Sequence, residues 1–184
     1  MRKGGGGGAA TQKAGEAFEN KTLEQLLSSF QANGYTVDLM LRGGLNPRAI
    51  FLTNVEGNSV DIFFKAALHK QFFKPRGIDS NDYFSARLEP DTAIFSHKTN
   101  VLTIIEKKQQ TGAGSVSEKL QTCDYKMLYY TTLCKPIGVK VDLIWQLGQY
   151  FLDNEKALQS VFEYMQSKGS RHFFLEVPFE ALKV

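Results

Sequence analysis

Asp91, Glu106, Lys107 and Lys108 are the residues whose types and spacing can do chemistry. They lie in RLEPDTAIFSHKTNVLTIIEKKQQ, residues 87–110, where the apolar run VLTII passes straight into a carboxylate and two ammonium groups. A buried strand ordinarily ends in a turn, and a half-exposed one alternates apolar with polar residues. On a strand, Leu102, Ile104, Glu106 and Lys108 share one face, and Val101, Thr103, Ile105 and Lys107 share the other. Both faces stay apolar as far as Ile105, as expected of a central strand covered on both sides. Glu106 and Lys108 then stand together where the strand leaves that cover. A hairpin closed by Ser96 and Val101 around the loop His97–Asn100 sets Asp91 opposite Glu106, about 5 Å away on the same face. A slip of one residue sends Asp91 to the other face, so everything depends on the register.

In that register two carboxylates and an ammonium converge. Adjacent acids repel unless a cation lies between them. Hard oxygen donors in small number suit Mg²⁺, which keeps several waters and completes its shell with substrate phosphate oxygens. Mg²⁺ lowers the pKa of bound water and offsets charge building on phosphorus. Lys108 is placed to orient an attacking water. The chemistry expected is phosphodiester hydrolysis.

These residues need elements to position them. A helical pattern runs from about Thr11 to Asn33 and is stopped by Gly34. Phe18, Leu23, Leu26, Leu27 and Phe30 form its apolar arc. Glu19 projects near the middle of that arc, with Glu16 at its edge. A carboxylate there is costly unless it pairs with a buried cation or points into a site beside the helix. Strands are expected at YTVDLML, RAIFLTNV and SVDIFFKAAL, the last two joined by the turn EGN. Residues 69–89 have no clear period and read as mostly irregular. After the PDTAIF and VLTIIEKKQQ strands and a TGAG break, SVSE fits a capping box at Ser115 and Glu118. One helix is expected from Ser115 to Pro136, with Val116, Leu120, Cys123, Met127, Tyr130 and Cys134 as its core stripe. VKVDLIWQLG then reads as a strand, EKALQSVFEYMQSKG as a helix and HFFLEV as a short closing strand. This order gives an α/β fold with a mixed central β-sheet flanked by helices.

Pro90-Asp91, a gap of fourteen residues, and Glu106-Lys107-Lys108 together resemble the PD-(D/E)XK nuclease signature. The resemblance implies a restriction-endonuclease-like core, namely a helix, a three-strand meander, a crossover helix and a further strand, an order this chain supplies from Thr11 to Leu147. It implies that Asp91 and Glu106 bind Mg²⁺, that the Lys107 carbonyl joins the metal shell, and that Lys108 assists the nucleophile. Glu19 matches the first-helix glutamate that many members turn toward the metals. EKKQQTGAGSVSEKLQT and GGAATQKAGEAFE are similar to stretches of type II restriction endonucleases. That group implies a homodimer cutting double-stranded DNA at a short specific sequence, with a cognate DNA methyltransferase in the same system. The alternatives are a structure-specific repair or recombination nuclease of the same superfamily, and a non-catalytic DNA-binding module whose acids pair with Lys107 and Lys108.

Composition is compatible with this reading without requiring it. The 184 residues carry a net charge of +3 and 42% apolar residues, enough for one well-filled domain at 11–184. Residues 1–10, rich in glycine, read as a flexible arm bearing Arg2 and Lys3, with Lys13 just beyond it as a DNA contact. Gln109, Gln110 and Ser115 lie where a substrate would pass, and Lys119, Thr122 and Lys126 align along one flank of the following helix. Cys123 and Cys134 are about 16 Å apart on one helix face, too far for a disulfide, and read as core. No run approaches the length of a membrane span, so no membrane partner is expected. The absence of a signal segment leads to the expectation of a cytoplasmic protein. His69, His97 and His172 have unrelated spacings that support neither a zinc set nor a catalytic triad.

Overall fold

The computed structural model describes residues 7–38, 49–110 and 116–184, with side chains omitted at 7–16, 37–38 and 116–117. Helix α1 (Gly7–Ala32) is followed by strands β1 (Tyr35–Asp38), β2 (Ala49–Asn54), β3 (Ser59–Phe63), β4 (Thr92–Ser96) and β5 (Val101–Lys108). Helices α2 (Val116–Leu120) and α3 (Cys123–Cys134) lead to β6 (Lys140–Leu147). Helices α4 (Gln149–Asp153) and α5 (Gln159–Ser167) lead to β7 (Ser170–Phe174). The seven strands form one open sheet in sequence order. Neighbours from β1 to β5 are antiparallel, and β5, β6 and β7 are parallel. The protein is therefore α/β with a mixed central sheet flanked by helices.

Each face of the sheet has its own core. Leu26 and Phe30 of α1 close over Ile50, Leu52, Ile62, Ile94, Ile105 and Ile144 on one side. On the other side Leu120, Cys123, Tyr129, Tyr130, Leu133 and Cys134 of α2 and α3 cover Ala93, Leu102, Ile104, Leu143 and Trp145. The β5 residues divide between these cores in the alternation that the sequence requires. Side chains of this size each contribute roughly 1.5–3 kcal/mol on full burial, so both faces hold β5 rigid.

Several elements differ from the sequence-based expectation. Helix α1 reaches back to Gly7, into the glycine run assigned to the arm. The N–H groups of a first turn have no intrahelical acceptor, so residues there give up no helical hydrogen bond of their own, and Ala9 and Ala10 favour the helical state. Strand β3 ends at Phe63, before the expected Leu68, because Lys65 adopts a left-handed φ of 48°. Its N–H then bonds the Pro90 carbonyl at 3.0 Å. The segment read as irregular contains a π-helical turn, Leu68–Phe73, that buries Leu68, Phe72 and Phe73. The helix expected from Ser115 onward is two, broken at Gln121 and Thr122. The closing strand starts two residues earlier and ends three residues earlier than expected, at Ser170–Phe174. Arg2, Lys3 and Ser115 lie outside the described residues, as do the side chains of Lys13, Glu16 and Val116. Among the described residues no helix is long and apolar enough to cross a membrane.

Candidate active site

The hairpin between β4 and β5 takes the register on which the site depends. Ser96 pairs with Val101, Phe95 with Leu102 and Thr92 with Ile105. Asp91 lies one residue before this ladder, opposite Glu106. Its Oδ2 accepts a hydrogen bond from the Lys107 N–H at 2.7 Å, which ties the acid to the strand that carries the other charges. Lys108 Nζ is 3.8 Å from Asp91 Oδ2 and 3.7 Å from Glu106 Oε2. The two carboxylates thus already share one cation position.

Glu106 is only 3% exposed, and burial of a carboxylate demands compensation. Part of it comes from a residue assigned from sequence to the DNA-facing flank. Lys126 of α3 turns inward and sets its Nζ 2.7 Å from Glu106 Oε1. Lys126 is accordingly a site residue rather than a free flank residue. The break before α3 explains the change, because Lys119 belongs to a separate helix and stays exposed while Lys126 faces the sheet. Trp145, the β6 partner of Glu106 in the ladder, floors the pair of lysines. Its ring centroid lies 5.7 Å from Lys108 Nζ and 5.8 Å from Lys126 Nζ, within cation–π range.

Tyr130, one turn after Lys126, is a second residue missed from sequence, where its apolar ring reads as core. Its hydroxyl is buried without a hydrogen-bond partner. Burial first, and then the Glu106 carboxylate, push the phenol well above its ordinary range, so it stays protonated. No periodicity argument separates a buried tyrosine of this kind from a phenylalanine. Cys134 behaves as expected of a core thiol, pushed by burial up to about 12.

Glu19 and Lys107 occupy the α1 side of β5. Glu19 meets Lys65 Nζ at 3.2 Å, and its side chain is 39% exposed. The left-handed turn at Lys65 after β3 brings that ammonium to the helix. Among the described residues no three His, Cys, Asp or Glu side chains form a metal-holding group, and Glu19 is paired with Lys65. Lys107 is nearly buried in a crevice lined by Thr22, Gln25, Gln146 and Glu176. Burial lowers its ammonium pKa to about 8, against the opposing attraction of Asp91 and Glu19.

Beyond the strand, Gln109 lies across the start of α4. A Cβ added to Gly148 would come within 1.5 Å of Gln109 Oε1, so only glycine lets the side chain lie there. Gln110 follows half-buried, and Lys119 is exposed on α2. Hard carboxylate oxygens on either side of one cation position fit a small divalent ion such as Mg²⁺ in donor chemistry. The residues able to hold it are Asp91 and Glu106. No protein-family model matches the chain, and no curated protein is significantly similar to it.

Proposed function

We propose that the protein is a Mg²⁺-dependent DNA endonuclease of the PD-(D/E)XK type, with a restriction-endonuclease-like core, acting as a type II restriction enzyme. The observation that carries this reading is the convergence of Asp91 and Glu106 on Lys108 at the end of a rigid central strand. Asp91 and Glu106 would hold the ion, with the Lys107 carbonyl added by the family resemblance. Bound Mg²⁺ supplies charge neutralisation at the scissile phosphate and acidifies water beside it. Lys108, held beside both acids, would orient an attacking water and offset negative charge as the phosphorus–oxygen bond to the leaving oxygen breaks. Trp145 and Tyr130 keep bulk water from the inner side of Glu106, which strengthens each of these interactions. Glu19, although paired with Lys65 here, stays the resemblance's candidate for a supporting acid.

The substrate is double-stranded DNA, and two copies act together so that both strands are cut. Gln109, Gln110 and Lys119, with Lys13 and Ser115, are the proposed DNA contacts. A cytoplasmic location and a cognate methyltransferase in the same system belong to the same reading. The test is digestion of mixed-sequence duplex DNA with Mg²⁺, beside Ca²⁺ and beside Lys108→Ala. Discrete fragments with Mg²⁺ alone, absent in the variant, are the expected result. Smeared or junction-selective products would favour a repair nuclease. Binding that is equal with and without metal, and without cutting, would identify a DNA-binding module.

A further inference from the structure

The charges around Glu106 are balanced before any metal arrives. Asp91 and Glu106 supply two negative charges, and Lys108 and Lys126 supply two positive ones within 4 Å of them. A divalent cation entering this set meets no net attraction and two like charges. Lys108 touches both acids at 3.7–3.8 Å, whereas Lys126 touches only Glu106 and is much the closer, at 2.7 Å. That contact is an ion pair and not a directed bond, since Glu106 Oε1 has no aligned hydrogen-bond donor. An ammonium held by this ion pair and the Trp145 ring, 17% exposed on a flexible stem, can be exchanged for another cation.

We propose that Lys126 is a resident counter-ion that competes with divalent metal for Glu106 and is drawn off by a substrate phosphate. The proposal rests on the reading of Asp91 and Glu106 as metal ligands. In the free protein Lys126 compensates the buried carboxylate, which would otherwise be left partly uncompensated. When a phosphodiester approaches, Lys126 swings to it, Glu106 is released to the metal, and the two ligands bind with positive coupling. The metal is thereby held weakly until DNA is present.

The experiment uses Tb³⁺ as the metal probe and Trp145, the chain's only tryptophan, as the sensitiser of its luminescence. Wild type, Lys126→Met, Lys126→Gln and Asp91→Asn are titrated with Tb³⁺, without DNA and then with a mixed-sequence duplex. Lys126→Gln keeps a hydrogen-bonding group over Glu106 in case the methionine variant folds poorly. Both Lys126 variants are expected to bind Tb³⁺ about tenfold more tightly than wild type without DNA, within the usual range for such coupling. DNA should tighten wild type by a similar factor and the variants far less. Affinity in the Lys126 variants equal to or below that of wild type overturns this proposal and leaves the metal-site reading standing. Asp91→Asn binding Tb³⁺ as wild type does, or no binding by any of the proteins, overturns both.

Discussion

Single residues set the chemistry here, and each can be tested separately. Lys108 touches both acids, so Lys108→Ala should leave the fold intact while lowering Mg²⁺-dependent cleavage at least about 100-fold, the lower range for loss of a positioned catalytic group. Single-turnover cleavage with circular dichroism as the folding control checks this. Glu19→Ala removes a half-exposed ion pair with Lys65 and should cost under about 1 kcal/mol in a urea titration. His172 supplies a pH test away from the site. Its ring stacks on Phe162 at 4.3 Å, and burial lowers its pKa despite the nearby Glu155. The unfolded chain therefore takes up the proton first, so stability falls as pH drops below the ordinary histidine value of about 6.5. His172→Phe keeps the stack and should make that fall shallower below about pH 6.5, by up to about 1.4 kcal/mol per pH unit. At this scale the pairing of Glu106 with Lys108 was legible because alternation along a strand fixes which side chains share a face, and Asp91 joins them through the register of the folded hairpin. Lys126 and Tyr130 were not, because an inward-turned lysine and a polar-tipped core residue look like ordinary helix positions until the sheet beneath them is known.

At the scale of elements, the site is held by strands anchored well away from it. Asp142 on β6 is buried and carries Arg171 of β7 and Lys183 of the C-terminal segment, the latter at 3.4 Å. Asp142→Ala leaves Arg171 without its carboxylate and should destabilise the fold by about 3 kcal/mol, measured by chemical denaturation. Gly148 and Gln109 form a tighter local pair at the end of β6. Gly148→Ala should displace the flexible Gln109 side chain at little cost in stability, so a double-mutant cycle with Gln109→Ala should show a coupling below about 0.5 kcal/mol. The meander and the crossover could be read from turn residues and hydrophobic periodicity, whereas the β4–β5 register was one of two that the sequence allowed and is set by the ladder of the folded hairpin. The π-helical turn at Leu68–Phe73 could not, because six residues are too few to establish a period and Lys65 breaks the strand through a backbone conformation rare for its residue type. The split between α2 and α3 escaped for a related reason, since the apolar stripe continues in phase across Gln121 and Thr122.

For the whole molecule, the seven-stranded sheet with helices on both faces carries the charged C-terminal end of β5 between β4 and β6, and the proposed function takes that end as the side a duplex approaches. The proposed function has two copies acting on one duplex, so sedimentation with Ca²⁺ in place of Mg²⁺ should find two chains on one duplex. Composition and net charge were compatible with this without demanding it, and the fold class followed from element order. The most direct measurement is nicking and linearisation of supercoiled plasmid with Mg²⁺, comparing wild type with Asp91→Asn, Glu106→Gln, Lys108→Ala and Lys119→Ala. Linear product from wild type, lost in the first three variants and kept in Lys119→Ala with a flatter salt dependence of binding, is the expected result. Intact plasmid with wild type, or cutting by Asp91→Asn and Glu106→Gln at the wild-type rate, would contradict the assignment of these acids to a metal-dependent nuclease site.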